Sequence, residues 1–593
     1  MTSRRLQLRA FSLGQLRASL SFSSLFCVRI GYAEATLSDF IQDPPKLGNQ
    51  YDDDALLRAY LRWRLPVSML AEIEPGLQRL GARAATDILA LGESAEASPP
   101  RHVPYDAWGR RVDRIETSEA WHELDRISAT EGIVATAYER RHGALSRIDQ
   151  FARLYLFAPS SALYSCPLAM TDGAARFLEV HGDESVSPVF AHLTSRDPGE
   201  FWTSGQWMTE RTGGSDVGST STIAASEEGN DYSLYGTKWF TSATTSQVAM
   251  TLARIEGAPA GSHGLSVFLI RLRGNDGMLR NIRVERLKDK LGTRALPTAE
   301  LTLDGTPAQL VGGAGDGVRK IATLFNITRV YNAVAAVAGM RRAIALASDY
   351  ARRRRAFGKP LIEHPLHLET LAEMQLELRA AFLLAFRVVE LLGKDESGDA
   401  TESESRLLRF LIPIAKLYTA KQAIAVASEA LEAFGGAGYL EDTGLPRLLR
   451  DAQVLSIWEG TTNILSLDAL RAIERNDVLP EWLTDVRRRL GAVKLAGLSS
   501  CGEQTLEAAR GIEEYAARAR SMGSEFQQAG ARGFAYAVAR TEAAVLLIEH
   551  AQAEADQAAL TAARRWCARE LAPLVEADEE HRAGSAALES AGT

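Results

Sequence analysis

The sequence predicts a multidomain α+β protein in which helical domains flank a compact antiparallel β domain. The chain has 593 residues, more than the roughly 250–300 residues at which a single core stops growing. Both halves contain long stretches with helical spacing of apolar residues, and the stretch between them breaks into short runs separated by turn residues. We divide the chain into 1–46 (transit peptide or unstructured N-terminus), 47–200 (N-terminal helical domain), 201–311 (middle β domain), 312–475 (C-terminal helical bundle) and 476–593 (helical extension).

The first 33 residues contain five arginines and no Asp or Glu, and they are rich in Ser and Leu. This composition is typical of a mitochondrial transit peptide, so we expect a mitochondrial protein, or a cytoplasmic one if this segment has no targeting role. A secretory signal is an alternative, with "SLSFSSLFCV" as its apolar core and "AEA" as its cleavage site, but Arg29 interrupts that arrangement.

Helical signals dominate residues 47–200. "DALLRAYLRWRL" places Leu56, Leu57, Tyr60 and Leu61 on one apolar face. Ser118 is a candidate N-cap for the helix that begins "SEAWHELDRIS". The segment "PRHVPYDAWGRR" before it is expected to be a loop.

The middle of the chain changes period. "YSLYGTKWF", "VAMTLARI", "LSVFLIRL" and "AELTLDG" are short runs bounded by Gly, Asn, Asp and Pro, which predicts strands. After "GGAGDG" (312–317), interpreted as an interdomain turn, long amphipathic stretches such as "HLETLAEMQLELRAAFLLAFRVVELLG" predict a helix bundle. The segment 476–593 continues with further helices.

Composition excludes several classes of function. The formal net charge of −8 offers no global attraction to nucleic acid, and residues 475–593 carry 14 Lys and Arg against 18 Asp and Glu. The four cysteines show no C-x-x-C spacing and the ten histidines form no H-E-x-x-H cluster, so we expect neither a disulfide framework nor a metal site. No uninterrupted apolar run approaches the ~18 residues of a membrane span.

Four motifs are candidates for ligand binding, each with a structural alternative. "QWMTERTGGSDVGST" (206–220) can bring backbone close to a phosphate or a ring edge, or be a polar turn. "GTKWFTSA" (236–243) offers an indole for a flat heterocycle, or a strand with a core tryptophan. "YARRRRAFGKPLIEHP" (350–365) can grip a pyrophosphate, or end a helix with favourable charge. In "EALEAFGGAGYLED" (429–442), a helix C-cap explains one glycine but not the whole G-G-x-G sequence followed by Tyr439.

A fifth motif, "SIWEGTTN" (456–463), places the carboxylate of Glu459 among aliphatic residues and after a tryptophan. A surface turn is the simple interpretation. The alternative is a catalytic base, because desolvation by apolar neighbours makes a carboxylate a stronger base.

Together, "MTERTGGSDV", "KWFTS", "RRRAFGKPLIEHP", "AFGGAGY" and "IWEGTTNIL", in this order and spacing, resemble the acyl-CoA dehydrogenase family of flavoproteins. "DAWGRRVDRI" and "RLKDKLGTR" resemble its AidB-like branch. The resemblance covers about 47–475 and implies an acyl-CoA dehydrogenase-like fold with an N-terminal helical domain, a middle β domain and a C-terminal four-helix bundle. It also implies FAD between the β domain and the bundle, partly held by a neighbouring subunit of a homodimer or homotetramer.

The resemblance assigns residues one by one. It implies that Glu459, which matches the family's catalytic base, is the base here. Some family members carry the base on a different helix, and the matching position here is Thr328, which cannot serve and so favours Glu459. Ser215, Asn326 and Arg329 would contact the substrate. The implied FAD contacts are Met208, Thr209, Gly214, Ser215, Trp239, Phe240, Thr241, Thr461 and Asn463, with Arg354, Glu432, Gly435 and Gly436 reaching the FAD of a partner subunit.

The implied reaction introduces a trans-2,3 double bond into a fatty acyl-CoA in β-oxidation. Glu459 would take the α-proton, flavin N5 would take the β-hydride, and an electron-transfer flavoprotein would accept the electrons. An acyl-CoA oxidase that uses O2 shares the fold. A non-metabolic AidB-like flavoprotein or an acyl-CoA binding regulator is a further alternative, although the acidic extension predicts no nucleic-acid affinity.

Overall fold

A computed structural model of the chain describes residues 42–592. Residues 1–41 of the predicted transit segment (1–46) therefore lie outside the described residues, and mitochondrial targeting stays a prediction. Residues 44–592 form one compact unit.

The N-terminal part is helical, with one β-hairpin inserted. Its elements are α1 (Ala55–Arg64), α2 (Val67–Arg83), α3 (Asp87–Ala97), β1 (Arg101–Tyr105), β2 (Arg111–Glu116), α4 (Glu119–Thr130), α5 (Ala135–Glu139), α6 (Ser146–Phe157), α7 (Ser165–His181) and α8 (Ser187–Leu193).

Two local predictions for this region are confirmed. The four apolar residues predicted to share a face of α1 are buried, and Asp54 caps the helix by accepting a hydrogen bond from the Leu57 N–H. Ser118 caps α4 by accepting from the Trp121 N–H. In both cases a short polar side chain satisfies a donor that the first helical turn leaves free.

The expected loop "PRHVPYDAWGRR" is instead an antiparallel hairpin in which β1 pairs with β2. The Asp106 carboxylate accepts from the N–H groups of Trp108 and Arg110, and Gly109 has φ +81°, so the turn stabilises itself. The sequence did not predict these strands because Pro104 is unusual within a strand, the tip is exposed, and alternation over only five residues is a weak signal.

The middle domain is a sheet that closes on itself. Its strands are β3 (Ser204–Trp207), β4 (Ile223–Ser226), β5 (Asp231–Ser242), β6 (Val248–Ile255), β7 (Leu265–Arg271), β8 (Ile282–Leu287) and β9 (Thr298–Val311). Strands β6, β4, β5, β9 and β7 follow one another, and β7 pairs again with β6, while β3 pairs with β6 and β8 pairs with β9. Most pairings are antiparallel, but β3 and β4 run parallel to β6.

Long helices follow the β domain. They are α9 (Gly317–Arg353), α10 (Pro365–Ser397), α11 (Glu402–Ala433), α12 (Leu445–Leu455) and α13 (Thr462–Asn476), with short strands β10 (Arg355–Ala356) and β11 (Lys359–Pro360) between α9 and α10. Helix α11 begins with a capping box in which Thr401 and Glu404 satisfy each other's backbone N–H groups. The "GGAGDG" turn (312–317) connects β9 to α9, as expected.

The extension contains α14 (Val478–Gly491), α15 (Ser499–Met522), α16 (Ser524–Glu554), α17 (Gln557–Cys567) and α18 (Glu579–Ser590). It packs on the bundle: Arg565 of α17 and Arg569, just after α17, pair with Glu373 of α10, and Arg387 of α10 pairs with Asp485 of α14. Within the extension, buried Arg489 of α14 pairs with Glu542 and Glu549 of α16.

Helices α9 and α11 are long and apolar enough, by length and composition alone, to cross a membrane. Their most apolar windows are 67% and 78% buried against the rest of the protein. This burial is what the core helices of a bundle require, since they contact neighbours on most sides.

A buried ion network joins α6, α7, α9 and α10. Asp172 is fully buried and accepts hydrogen bonds from Arg147 Nη1 at 2.7 Å, Gln150 Nε2 at 2.5 Å and the Tyr331 hydroxyl at 2.9 Å. Arg147 also pairs with Glu396 of α10. The network therefore links the N-terminal domain to the bundle helices that carry the site described below.

We expect Asp172→Ala to lower the free energy of unfolding by about 3–5 kcal/mol, because it leaves a buried arginine with half of its partners. The measurement is urea denaturation followed by circular dichroism. Asp399→Ala, at an exposed aspartate after α10, is the matched control and should change stability little. Equal effects of the two substitutions would contradict the importance of the network.

Candidate active site

A cavity of about 1470 Å³ lies where the β domain meets the bundle. Its walls come from α7, β3, β5, the loop between β8 and β9, α9, α11 and the turn that joins α12 to α13. Ligand pockets are commonly about 300–1,000 Å³. The cavity therefore has room for more than one ligand.

Basic residues dominate the charge of the cavity wall. Eight Lys and Arg residues line it against four Asp and Glu, whereas the whole chain carries −8. A concave surface with one prevailing sign concentrates ligands of the opposite sign. The basic residues are Lys288, Lys290, Arg319, Arg329, Arg409, Arg450, Arg471 and Arg475. The cavity thus suits ligands that carry phosphates.

Glu459 lines this cavity from the turn 456–461 between α12 and α13. Its backbone is left-handed, with φ +55°, and Gly460 follows with φ +98°. A Cβ at Gly460 would lie 2.9 Å from Leu465 Cδ2, so only glycine fits there. A non-glycine residue in the left-handed region costs about 1–3 kcal/mol, which the surrounding contacts must offset.

The Glu459 carboxylate has two polar neighbours in the cavity. The Thr328 hydroxyl of α9 donates to Oε2 at 2.6 Å, and Gln206 Nε2 of β3 lies 3.3 Å from Oε1. Gln206 Oε1 is buried and has no hydrogen-bond partner among the described residues. The carboxylate is thus oriented from both the bundle and the β domain.

Cationic side chains bind the backbone of the same turn. Lys416 Nζ of α11 donates to the carbonyls of Trp458 and Gly460, each at 2.7 Å. Arg329 Nε of α9 donates to the Glu459 carbonyl at 3.2 Å, and Arg329 Nη2 pairs with Asp468 at 2.9 Å. Burial lowers the pKa of Lys416 to about 7, against the opposing effect of the Glu459 carboxylate.

Apolar groups surround the carboxylate. Trp458 lines the cavity and its indole N–H donates to Asn332 Oδ1 of α9. Cys166, Ala169 and Met170 line the cavity from α7. Burial raises the pKa of the Cys166 thiol to about 12, so this cysteine is an inert wall residue and not a nucleophile.

The predicted 206–220 loop enters the cavity with Met208, Thr209, Gly214 and Ser215. A Cβ at Gly214 would lie 2.7 Å from Thr209 Oγ1, so the glycine lets the two segments approach closely. Glu210 anchors the loop to the β domain.

Buried Lys238 of β5 donates to the Glu210 carboxylate at 2.8 Å, as do the Ser221 and Thr222 hydroxyls. Burial disfavours a charged Glu210, but these partners outweigh it and hold its pKa at about 2. The 206–220 loop is therefore anchored inside the β domain by the buried Lys238–Glu210 ion pair.

The "KWFTS" motif lies on a bulge of β5. Phe240 lines the cavity, whereas Trp239 and Thr241 are not among the residues that line it. The Trp239 N–H donates to the Thr209 carbonyl at 2.9 Å, and its indole is covered by Lys288 Nζ at 3.7 Å from the ring centroid. The Thr241 hydroxyl is buried and donates to the Ala299 carbonyl.

The remaining predicted residues divide into two groups. Thr461, Asn326 and Arg329 line the cavity, and Asn463 is exposed next to Thr461.

Arg354, Glu432, Gly435 and Gly436 are exposed and lie elsewhere. Arg354 directly follows α9, Glu432 lies in the last turn of α11, and Gly435 and Gly436 follow α11. The C-terminal ends of the two helices are adjacent because Tyr350 packs on Phe434.

Sequence reasoning missed Gln206, Lys416 and Lys290. Burial lowers the pKa of Lys290 to about 8, and its ammonium donates to the Leu296 carbonyl in the loop that lines the cavity. The signal for Lys416 was available: it interrupts the apolar stripe "FLIPIAKLYTA", and a lysine in a buried helix face needs a partner.

Family comparisons match almost the whole described chain. Residues 43–197 match "Adaptive response protein AidB N-terminal domain", and residues 205–306 match "Acyl-CoA dehydrogenase, middle domain". Residues 315–474 match "Acyl-CoA dehydrogenase, C-terminal domain", and residues 477–591 match "Acyl-CoA dehydrogenase 11 C-terminal domain-like".

Individual relatives agree with these matches. The chain is 42% identical to acyl-CoA dehydrogenase family member 11 of Caenorhabditis elegans, over 92% of this chain and 91% of that protein. It is 35% identical to putative acyl-CoA dehydrogenase AidB of Escherichia coli, over 69% of this chain and 76% of that protein.

Solved structures show the same architecture. The crystal structure of C. elegans ACDH-11 in complex with C11-CoA superposes with a TM-score of 0.90 at 41% identity, covering 94% of this chain and 98% of that one. An acyl-CoA dehydrogenase of Bacillus anthracis complexed with FAD shares the fold, with a TM-score of 0.67 at 19% identity over 88% and 89% of the two chains.

The buried ammonium of Lys416 predicts a pH dependence of stability. Between about pH 7 and about pH 10 the unfolded chain holds a proton on Lys416 that the folded protein has released, so the free energy of unfolding rises with pH in this window. Lys416→Met should flatten that rise. Lys421→Met, on the same helix, is the control and should keep it; identical pH profiles for both variants would contradict the shifted pKa.

Proposed function

The chain belongs to the acyl-CoA dehydrogenase family of oxidoreductases, in its AidB-like branch, and from this premise we propose that it is an FAD-dependent dehydrogenase of acyl-CoA thioesters. The observation that carries the proposal is the position of Glu459. Its carboxylate lies in a basic cavity large enough for two ligands and is oriented by Thr328 and Gln206. A base in this setting suits proton removal from a weak carbon acid.

The residues of the cavity fit FAD. Gly214 lets the cavity loop pack closely on Thr209. Met208 and Phe240 supply apolar surface for a flat ring, and the Ser215 and Thr461 hydroxyls are available for polar edges. When bound, FAD supplies the acceptor for the β-hydride of the substrate at its N5 atom. The wall arginines and lysines would bind the phosphates of FAD and of coenzyme A.

Glu459 performs the proton transfer in this proposal. Its carboxylate removes the α-proton of the acyl thioester while the bond between the α- and β-carbons becomes a trans double bond. The Glu459 N–H stabilises the negative charge that develops on the thioester oxygen. Trp458 and the α7 residues exclude water from the carboxylate, and the Thr328 hydroxyl holds Oε2 so that Oε1 is directed at the substrate.

The substrate class follows from the wall and from the relatives. Ala169 and Met170 form an apolar surface next to the carboxylate, which suits a fatty acyl chain. The C. elegans relative at 41% identity was crystallised with C11-CoA. The electron acceptor in the proposal is an electron-transfer flavoprotein, and oxygen consumption during turnover would identify an oxidase instead.

We also propose a homo-oligomer in which each FAD contacts two copies of the chain. Thr328, which touches Glu459, lies in the first half of α9 and Arg353 lies at its C-terminal end, about 37 Å away at 1.5 Å per residue. Arg354 therefore cannot reach a ligand at Glu459 of its own chain. It adjoins Phe357, which is 98% exposed, and Tyr439, which is 90% exposed, as expected of a surface that another copy covers.

Glu459→Gln should retain FAD but reduce the rate of flavin reduction by acyl-CoA at least about 100-fold, because glutamine keeps the shape and accepts no proton. The measurement is anaerobic titration of the yellow protein with acyl-CoAs of graded chain length, followed by the bleaching of the flavin.

Glu429→Gln, at an exposed glutamate of α11, is the matched control. Reduction of the Glu459→Gln protein at the wild-type rate would remove this residue from its role. A wild-type protein that binds acyl-CoA without bleaching would be a binding protein and not a dehydrogenase.

Phe357→Glu should convert the oligomer to smaller species in light scattering, and Arg354→Gln should lower the FAD content of a protein that still oligomerises. Arg352→Gln, at an exposed arginine of the same segment, should do neither. A monomeric wild-type protein with a full complement of FAD would contradict the shared site.

A further inference from the structure

The catalytic turn has an unusual set of backbone contacts. Three successive carbonyls, those of Trp458, Glu459 and Gly460, each accept a hydrogen bond from a cationic side chain. Lys416 binds the first and the third, and Arg329 binds the second. The Arg329 hydrogen bond is charge-assisted, those of Lys416 are charge-assisted below its pKa of about 7, and bonds of this kind are stronger than neutral ones.

The side chain of Lys416 forms its hydrogen bonds with this turn. This side chain is fully buried, its ammonium donates to the carbonyls of the two residues that flank Glu459, and it has no ion-pair partner among residues 42–592. The charged groups that influence it are the Glu459 carboxylate and the Arg329 guanidinium. A buried ammonium costs free energy, so its retention here needs a compensating interaction.

The turn requires such an interaction. After α12 ends at Leu455, the N–H groups of Ile457 and Trp458 still donate to the Val454 carbonyl. The chain then reverses through Glu459 and Gly460, which both have positive φ, before α13 begins at Thr462. Lys416 fixes the peptide plane before the Glu459 Cα through the Trp458 carbonyl, and Arg329 fixes the plane after it through the Glu459 carbonyl. Lys416 also fixes the next plane through the Gly460 carbonyl. The direction of the carboxylate depends on those planes.

We infer that Lys416 is a positioning residue that holds Glu459 in its left-handed turn and thereby directs the carboxylate at the substrate. Lys416 lies on a different helix from the residues that contact the carboxylate and is not among the residues that line the cavity. It acts on the reaction through the backbone of the turn. The effect of Lys416 on the reaction rate rests on the proposed dehydrogenase function, whereas its effect on the conformation of the turn rests on geometry alone.

The test compares Lys416→Met with Lys421→Met, which is the same substitution five residues further along α11. The first readout is hydrogen exchange of the amides in 456–462, measured by mass spectrometry. Lys416→Met should speed this exchange at least about tenfold and leave the β domain unchanged, whereas Lys421→Met should match the wild type.

The second readout separates positioning from general damage. In Lys416→Met, FAD content and acyl-CoA affinity should stay within about twofold of the wild type, while flavin reduction slows at least about tenfold, because small displacements of a reacting group are costly in rate. Lys416→Gln keeps a neutral donor and should give intermediate values in both readouts. It also serves if the methionine variant does not fold.

Unchanged exchange in 456–462 in both Lys416 variants would overturn the inference, as would faster exchange with an unchanged rate of flavin reduction. If the wild-type flavin is not reduced by any acyl-CoA, the proposed function fails on that result alone. The exchange comparison then still decides whether Lys416 holds the turn.

Discussion

The structure depends on keeping one carboxylate in a basic cavity at a backbone conformation that its residue type disfavours. Glu459 occupies a left-handed turn that three cationic hydrogen bonds stabilise, and its side chain is held by Thr328 and Gln206. These contacts come from α9, α11 and β3. The bundle and the β domain therefore have to be docked correctly before the base has a defined direction, and the buried ion network around Asp172 contributes to that docking.

The length of the bundle helices determines how the remaining motifs are used. Helix α9 carries Thr328 near the cavity and delivers Arg354 to the far end of the bundle. Helices α9 and α11 run in the same direction, because α10 returns between them, so the "RRRAFGK" and "AFGGAGY" motifs meet at one end. A rigid helix of 37 residues cannot bring both of its ends to one ligand. In the proposed homo-oligomer, a ligand that contacts two copies of the chain gives both motifs a purpose.

Periodicity predicted the order of the domains, and motif order predicted several of the residues that line the cavity, since local signals such as the cap at Ser118 and the glycines at 213–214 act on neighbouring residues. What could not be predicted depends on contacts between distant segments. Lys416 and Glu459 are 43 positions apart, and only the packing of α11 against the turn makes them partners. The bulge in β5 likewise directs Phe240 to the cavity and leaves Trp239 beneath Lys288. Alternation along the strand does not predict which of these two side chains faces the cavity.

The charge distribution explains how an acidic protein can bind polyanionic ligands. The surface carries many carboxylates, whereas eight basic residues line the cavity. Several of these are partly neutralised by local acids, as Arg329 is by Asp468 and Arg471 is by the same carboxylate. Arg409 and Arg475 have no ion-pair partner among residues 42–592, so their charge remains available to phosphates. A positive interior within a negative exterior favours anions at the site without a general affinity for nucleic acid, which needs a continuous basic face.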